Sequence, residues 1–71
     1  MRALGVDPGS LITGYGVVES DSSRLILVAQ GRVTLKRSDP FSGRLKQIYD
    51  ALSSIILYHQ PQEAAVESWL F

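Results

Sequence analysis

Runs of β-branched, aromatic and other apolar residues predict three β-strands in the first half of the chain. Residues 2–7 form the first strand, in which Leu4 and Val6 lie on one face and the intervening residues on the other. Residues 13–19 and residues 24–35 contain the side chains that favour two further strands. The segments between these strands are short, which predicts an antiparallel three-stranded meander.

Turn-forming residues separate the three predicted strands. Pro8 and Gly9 follow the first strand, and a proline fixes its own φ while a glycine accepts φ angles that other residues avoid. Residues 21–23 form a second polar turn. Gly31 lies inside the third strand, where an isolated glycine predicts a β-bulge. The backbone N–H groups of Gly9 and Ser10 are candidates for binding a phosphate, although a plain turn is the favoured interpretation.

Beyond the third strand, apolar residues recur every three or four positions, which predicts an amphipathic helix. Asp39 is the expected N-cap and Pro40 the first helical residue. The helix should end near His59 because Pro61 cannot continue it. Its apolar stripe consists of Phe41, Leu45, Ile48, Leu52, Ile55 and Ile56.

Three side chains outside this stripe are expected to have structural or solvent-facing positions. Arg44 and Lys46 lie on the polar faces of the predicted helix and are interpreted as solvated charges. Tyr15 lies in the second strand and is expected to pack on the sheet.

A fourth strand over residues 63–68 completes the order β-β-β-α-β. A strand reached through a helix is most simply parallel to a strand already in the sheet, so we expect it beside the first strand. Asp7 and Glu67 then lie at the carboxyl ends of adjacent strands, about 4.8 Å apart. Taken singly, Asp7 is ordinary turn sequence and Glu67 an ordinary surface carboxylate. As a pair they favour a shared cation.

Composition limits the classes of protein to consider. The 71 residues suit one small domain or part of a larger one. Seven Lys or Arg balance seven Asp or Glu, so the chain has no overall charge that would attract nucleic acid or anionic membrane. The absence of cysteine excludes disulfides and thiolate-bound zinc and is compatible with a cytoplasmic protein. No apolar run approaches the roughly 20 residues of a membrane span.

Three segments together carry a resemblance to a known family. Residues 1–18 (MRALGVDPGSLITGYGVV), 43–50 (GRLKQIYD) and 61–67 (PQEAAVE) resemble the RuvC-type Holliday junction resolvases from end to end of the chain. The resemblance implies a ribonuclease H-like α/β fold, of which residues 1–71 would be the amino-terminal part of a single nuclease domain. It also implies that Asp7 and Glu67 are the first and second catalytic acids and bind magnesium.

The activity implied by the resemblance is the cleavage of four-way DNA junctions in recombination and repair by a homodimer. Two Mg²⁺ ions are expected in the intact protein, and branch-migration machinery is an expected partner. Members of the family are more than twice as long as this chain, and two further acids lie on a later helix. Trp69, Leu70 and Phe71 fall where the family contacts DNA. They are therefore candidate DNA-binding residues, although the family tends to have Phe where this chain has Leu70.

Two other functions remain open from the sequence. The Asp-x-Gly-Ser turn at residues 7–10 also resembles the phosphate-binding turn of sugar kinases and actin-like ATPases, in which a second nucleotide-binding half follows. Alternatively, a chain without the full set of acids acts only as a structural or binding module. The Glu that closes the fourth strand and the 43–50 helix favour the nuclease, and this chain alone is expected to be inactive.

Overall fold

A computed structural model describes residues 1–66 and contains a four-stranded mixed sheet with one helix. The elements are β1 (Arg2–Asp7), β2 (Ile12–Asp21), β3 (Arg24–Thr34), α1 (Phe41–His59) and β4 (Glu63–Val66). The strand order across the sheet is β3-β2-β1-β4. The three-stranded antiparallel meander is therefore confirmed, and so is the pairing of β4 parallel to β1.

Strand β2 extends beyond the predicted residues 13–19 at both ends, whereas β3 begins as predicted and ends one residue earlier, at Thr34. They pair with each other from Ile12↔Thr34 to Asp21↔Arg24 as an antiparallel ladder with one register shift. A tight turn connects them, and Ser22 in this turn has a φ of 54°. The pairing continues up to this turn, so residues 20 and 21 belong to β2 rather than to a loop.

The β-bulge expected at Gly31 is located elsewhere. The register shifts between Val17 and Val18, which pair with Ala29 and Leu27, so that Val28 is the extra residue of β3. Gly31 instead pairs with Tyr15, and a Cβ on Gly31 would lie 2.7 Å from the hydroxyl oxygen of Tyr15. A side chain on residue 31 would therefore collide with the tyrosine ring that packs against the core.

Helix α1 ends as predicted but begins one residue later. Pro40 is the N-cap, with a ψ of 153°, and Phe41 is the first helical residue. The carboxylate of Asp39 makes no cap hydrogen bond and instead accepts one from Nε2 of Gln47 at 3.2 Å. At the other end Gln60 adopts the left-handed conformation and its N–H donates to the carbonyl of Ile56. Among residues 1–66, no helix is long and apolar enough to cross a membrane.

One face of the sheet packs against α1 and forms the core. Leu4, Val6 and Val17 are buried there, and Leu52 and Ile55 of the helix pack against them. This confirms the predicted faces of β1. Of the six residues in the predicted apolar stripe, Ile48, Leu52 and Ile55 are half-buried, whereas Phe41, Leu45 and Ile56 are exposed. Within the described part of the chain, the opposite face of the sheet has no helix packed on it.

Arg2 ties the beginning of β1 to both of its neighbours. Its Nε donates to Oε1 of Glu19 at 3.1 Å, and its Nη1 donates to the carbonyl of His59 at 3.2 Å. Its backbone N–H donates to the side chain of Gln62 just before β4. Glu19 also pairs with the N-terminal ammonium of Met1 at 3.0 Å. These contacts hold β1 in register with β2 and with the segment that leads into β4.

Candidate catalytic site at the end of strand β1

Asp7 is the last residue of β1, and its neighbours in the sheet determine where its side chain lies. It alternates with the buried Val6, so its exposed side chain belongs to the face opposite α1. Its partner in β2 is Gly14, which has no side chain to cover it. Within residues 1–66, no ion pair or side-chain hydrogen bond involves the Asp7 carboxylate. Its oxygens are therefore available to a ligand.

The turn that follows Asp7 is held by two contacts that the sequence analysis missed. The buried hydroxyl of Thr13 bonds to both the N–H and the carbonyl of Gly9, at 3.3 and 3.2 Å. Arg44 donates from Nη1 to the carbonyl of Ser10 at 3.0 Å and is half-buried. The prediction that Arg44 is a solvated charge is wrong, whereas the exposed Lys46 fits it. Both contacts join residues whose proximity appears only in the folded chain.

The floor around Asp7 consists largely of exposed backbone. Gly5, Gly14 and Gly16 share its face of the sheet, and Ala65 of β4 extends this surface. A Cβ on Gly14 would meet nothing within 4 Å. The result is a shallow, open depression beside the carboxylate, in which another chain or a ligand can approach the sheet backbone closely.

Strand β4 leads directly to the second predicted acid. Val66 pairs in parallel with Val6, and Ala65 pairs with Gly5. Glu67 is the next residue in the sequence, and it lies outside the described residues. Trp69, Leu70 and Phe71, the candidate DNA-binding residues, also lie outside the described residues.

The donors available in the described structure suit magnesium in type but not in number. Mg²⁺ prefers hard oxygen ligands and keeps several waters, and a carboxylate at a rigid strand end meets the first requirement. Residues 1–66 contain no group of three or more His, Cys, Asp or Glu side chains that could hold a metal ion. A complete site therefore needs acids in addition to Asp7.

Comparison with protein families shows the family to which the chain belongs. The family model described as "Crossover junction endodeoxyribonuclease RuvC" matches residues 3–71. The chain belongs to the RuvC family. RuvC of Pelobacter propionicus is 52% identical over 68 residues, which cover 96% of this chain and 39% of the relative. RuvC of Geotalea uraniireducens is 44% identical over 71 residues, which cover 100% of this chain and 42% of the relative. The chain thus spans about two-fifths of the length of these RuvC proteins.

Solved structures agree with this assignment and with the ribonuclease H-like fold. RuvC of Thermus thermophilus in complex with a Holliday junction substrate matches with a TM-score of 0.91 and 25% identity, over 100% of this chain and 46% of that chain. A second T. thermophilus RuvC structure matches at 0.88 with 27% identity, over 100% of this chain and 45% of that chain.

The fold alone does not determine the chemistry of this chain. A PPX-GPPA enzyme of Aquifex aeolicus has a TM-score of 0.73 at 12% identity, over 93% of this chain and 25% of that chain. This match reflects the fold alone, because one fold supports different reactions. The assignment to the RuvC family therefore rests on sequence and not on the shape of the sheet.

Proposed function

We propose that the whole protein to which this chain belongs is a metal-dependent endonuclease that cuts four-way DNA junctions in recombination and repair. The observation that carries this proposal is membership of the RuvC family, whose model, described as that of a crossover junction endodeoxyribonuclease, matches residues 3–71. The match over the full length of this chain to a RuvC described in complex with a Holliday junction substrate also supports it. Residues 1–71 are then the amino-terminal part of a single ribonuclease H-like nuclease domain that acts in the cytoplasm.

Asp7 and Glu67 are the catalytic acids and metal ligands in this proposal. The position of Asp7 supports this role, because Asp7 ends a strand and faces away from the core. Its carboxylate has no side-chain partner within residues 1–66. The parallel pairing of Val6 with Val66 supports a role for Glu67, because each acid immediately follows one of these two residues in the sequence. Continuation of this register by one residue would bring the acids together.

The chain's own contribution to catalysis would be to bind and orient. A pair of Mg²⁺ ions, when bound, supplies an activated water and neutralises charge on the leaving oxygen. Asp7 would supply ligand oxygens from the end of a strand that is paired with β2 up to Asp7 and with β4 up to Val6, so the main chain that carries its carboxylate is held in place. Gly14 leaves the space beside it open, which allows a phosphodiester to approach from the exposed face. Hydrolysis adds water across one P–O bond and leaves a phosphate and a hydroxyl at the cut.

The partners and DNA contacts rest on family resemblance. We propose that the whole protein acts as a homodimer on junction DNA together with branch-migration machinery. Trp69, Leu70 and Phe71 are proposed to contact DNA, since they occupy the place in the sequence where the family contacts it.

The direct test is cleavage of a synthetic four-way junction by the full-length protein. A linear duplex with the same arm sequence is the matched substrate, and EDTA in place of Mg²⁺ is the metal control. We expect nicking of the junction with Mg²⁺ only, and little cutting of the duplex. Full activity in EDTA, or equal cutting of junction and duplex, would contradict the proposal.

One of the backbone groups that could bind a phosphate in the actin-like ATPase alternative already has a hydrogen-bond partner in the structure. The N–H of Gly9, a candidate donor to a nucleotide phosphate, already donates to the hydroxyl of Thr13. This observation favours the nuclease. Equilibrium binding of ATP by the full-length protein discriminates between the two: saturable ATP binding without junction cleavage would favour the ATPase.

A further inference from the structure

We propose that Thr13 is a positioning residue for Asp7, which it holds through the turn between β1 and β2. This inference rests on the proposed role of Asp7 as a metal ligand. Thr13 is fully buried, which is unusual for a polar side chain at the beginning of a strand. Its hydroxyl is directed at the turn and not at the apolar core.

The hydroxyl of Thr13 makes two hydrogen bonds to a single residue of the turn. It accepts from the N–H of Gly9 at 3.3 Å and donates to the carbonyl of Gly9 at 3.2 Å. A hydroxyl has one proton to donate and lone pairs to accept, so this arrangement uses it in both ways. Both peptide groups that flank the Cα of Gly9 are thereby fixed to β2.

Only Pro8 separates this fixed point from Asp7. The proline ring restricts φ to about −65°, so the chain between Asp7 and Gly9 has little freedom. On its other side Asp7 is paired with Gly14, the residue that follows Thr13. The main chain of Asp7 is therefore held by the strand before it and by the Thr13 contact after it.

Tight packing leaves no room for a side chain at Gly9. A Cβ on Gly9 would lie 2.2 Å from the carbonyl oxygen of Ile12, the residue before Thr13. Gly9 does not have a positive φ, so the glycine is required for close approach and not for a left-handed backbone. The hydroxyl of Thr13 and the small size of Gly9 therefore act together to keep the turn closed.

Small displacements of a ligand matter for magnesium, which demands near-ideal octahedral geometry. Groups that orient a metal ligand typically change metal affinity or activity by about 10–100-fold when they are lost. We therefore expect Thr13→Val, which keeps the shape and removes the hydroxyl, to weaken Mg²⁺ binding about 10-fold. Thr13→Ser keeps the hydroxyl and should stay within about 3-fold of the parent protein.

The test measures Mg²⁺ affinity of the full-length protein by titration calorimetry without DNA, and exchange of the Gly9 amide proton by NMR. Thr34→Val is the matched control, because Thr34 is exposed and its hydroxyl makes no hydrogen bond within the described residues. We expect weaker Mg²⁺ binding and faster Gly9 exchange in Thr13→Val, rescue by Thr13→Ser and no change in Thr34→Val. Asp7→Asn is the reference for loss of a ligand.

Three other results would contradict the proposal, and each identifies a different step that is wrong. Normal Mg²⁺ affinity in Thr13→Val, with affinity lost in Asp7→Asn, would overturn the role of Thr13 and leave the proposed function intact. Normal affinity in Asp7→Asn would overturn the role of Asp7 as a metal ligand, and with it the positioning role of Thr13, whereas the proposed function is tested separately by junction cleavage. If Thr13→Val failed to fold where Thr13→Ser folds, the hydroxyl would serve the fold and the positioning role would be refuted.

Discussion

Substitution of Gly9 by alanine tests how tightly the turn after Asp7 is packed. The new Cβ would lie 2.2 Å from the carbonyl oxygen of Ile12, and that oxygen would have to move about 1 Å to reach ordinary contact distance. Overpacking of this kind costs about 1–3 kcal/mol. The movement would also strain the contact with the Thr13 hydroxyl, and a lost hydrogen bond costs about 1 kcal/mol. We expect a total loss of roughly 2–4 kcal/mol in the free energy of unfolding.

Urea denaturation of the full-length protein measures this loss. Gly43→Ala is the matched control, since its Cβ would meet Cγ of Pro40 at an ordinary 3.5 Å in the first turn of α1. Alanine is favoured over glycine in a helix by about 0.5–1 kcal/mol, so this variant should be slightly more stable. The reasoning would be refuted if the free energy of unfolding of Gly9→Ala lay within about 0.5 kcal/mol of the parent value, which is the range of a neutral surface substitution.

Three further predictions concern the core, the pH dependence and the isolated chain. Leu4→Ala should lower the free energy of unfolding by about 2–5 kcal/mol, whereas Leu57→Ala, at an exposed position, should change it by less than about 0.5 kcal/mol in the same urea assay. The hydrogen bond from the N-terminal ammonium, followed by contacts with Arg2, lowers the pKa of Glu19 from its usual value of 4.5 against the opposing effect of burial. A lowered pKa stabilises the fold above the usual value and this stabilisation disappears as the pH falls through the folded value, so Glu19→Gln should flatten the stability profile below pH 4.5 in denaturation series at several pH values. The isolated 71-residue chain should show no appreciable Mg²⁺-dependent nicking of a synthetic junction on a gel, because two carboxylates are too few for two metal ions.

Local patterns in the sequence were sufficient to predict most of the fold. Alternation in β1 identified the buried faces of Leu4 and Val6, since side chains of a strand alternate between two environments. Pro61 marked the end of α1 because proline cannot continue a helix. The parallel position of β4 followed from the general preference for a right-handed crossover.

The details that the sequence could not predict depend on contacts between distant segments. Gly31 is small because the ring of Tyr15 lies against it, and only the register of β2 and β3 reveals that contact. The contact of Arg44 with the turn likewise joins residues 34 positions apart. Asp39 is not the N-cap because Phe41 is the first helical residue and Pro40 occupies that position; the Asp39 carboxylate accepts a hydrogen bond from Gln47, eight residues along the chain.

For the candidate site, the sequence predicts only two acids, Asp7 and Glu67, and the strand order that would place them on adjacent strands. The described structure supplies the setting of Asp7, including the open surface beside it, which follows from glycines on neighbouring strands. The positioning role proposed for Thr13 was not predictable from the sequence, since a threonine in a β-rich segment is an ordinary strand residue. Its burial and its two contacts with Gly9 were visible only in three dimensions.

The assignment of Asp7 and Glu67 as metal-binding catalytic acids is tested most directly in the full-length protein. Junction binding and Mg²⁺-dependent junction cleavage are measured in parallel for Asp7→Asn and Glu67→Gln, with Asp50→Asn on the exposed surface of α1 as the control. We predict that both site variants bind the junction and fail to cut it, while Asp50→Asn cuts at the parent rate. Cleavage at the parent rate by either site variant would contradict the assignment.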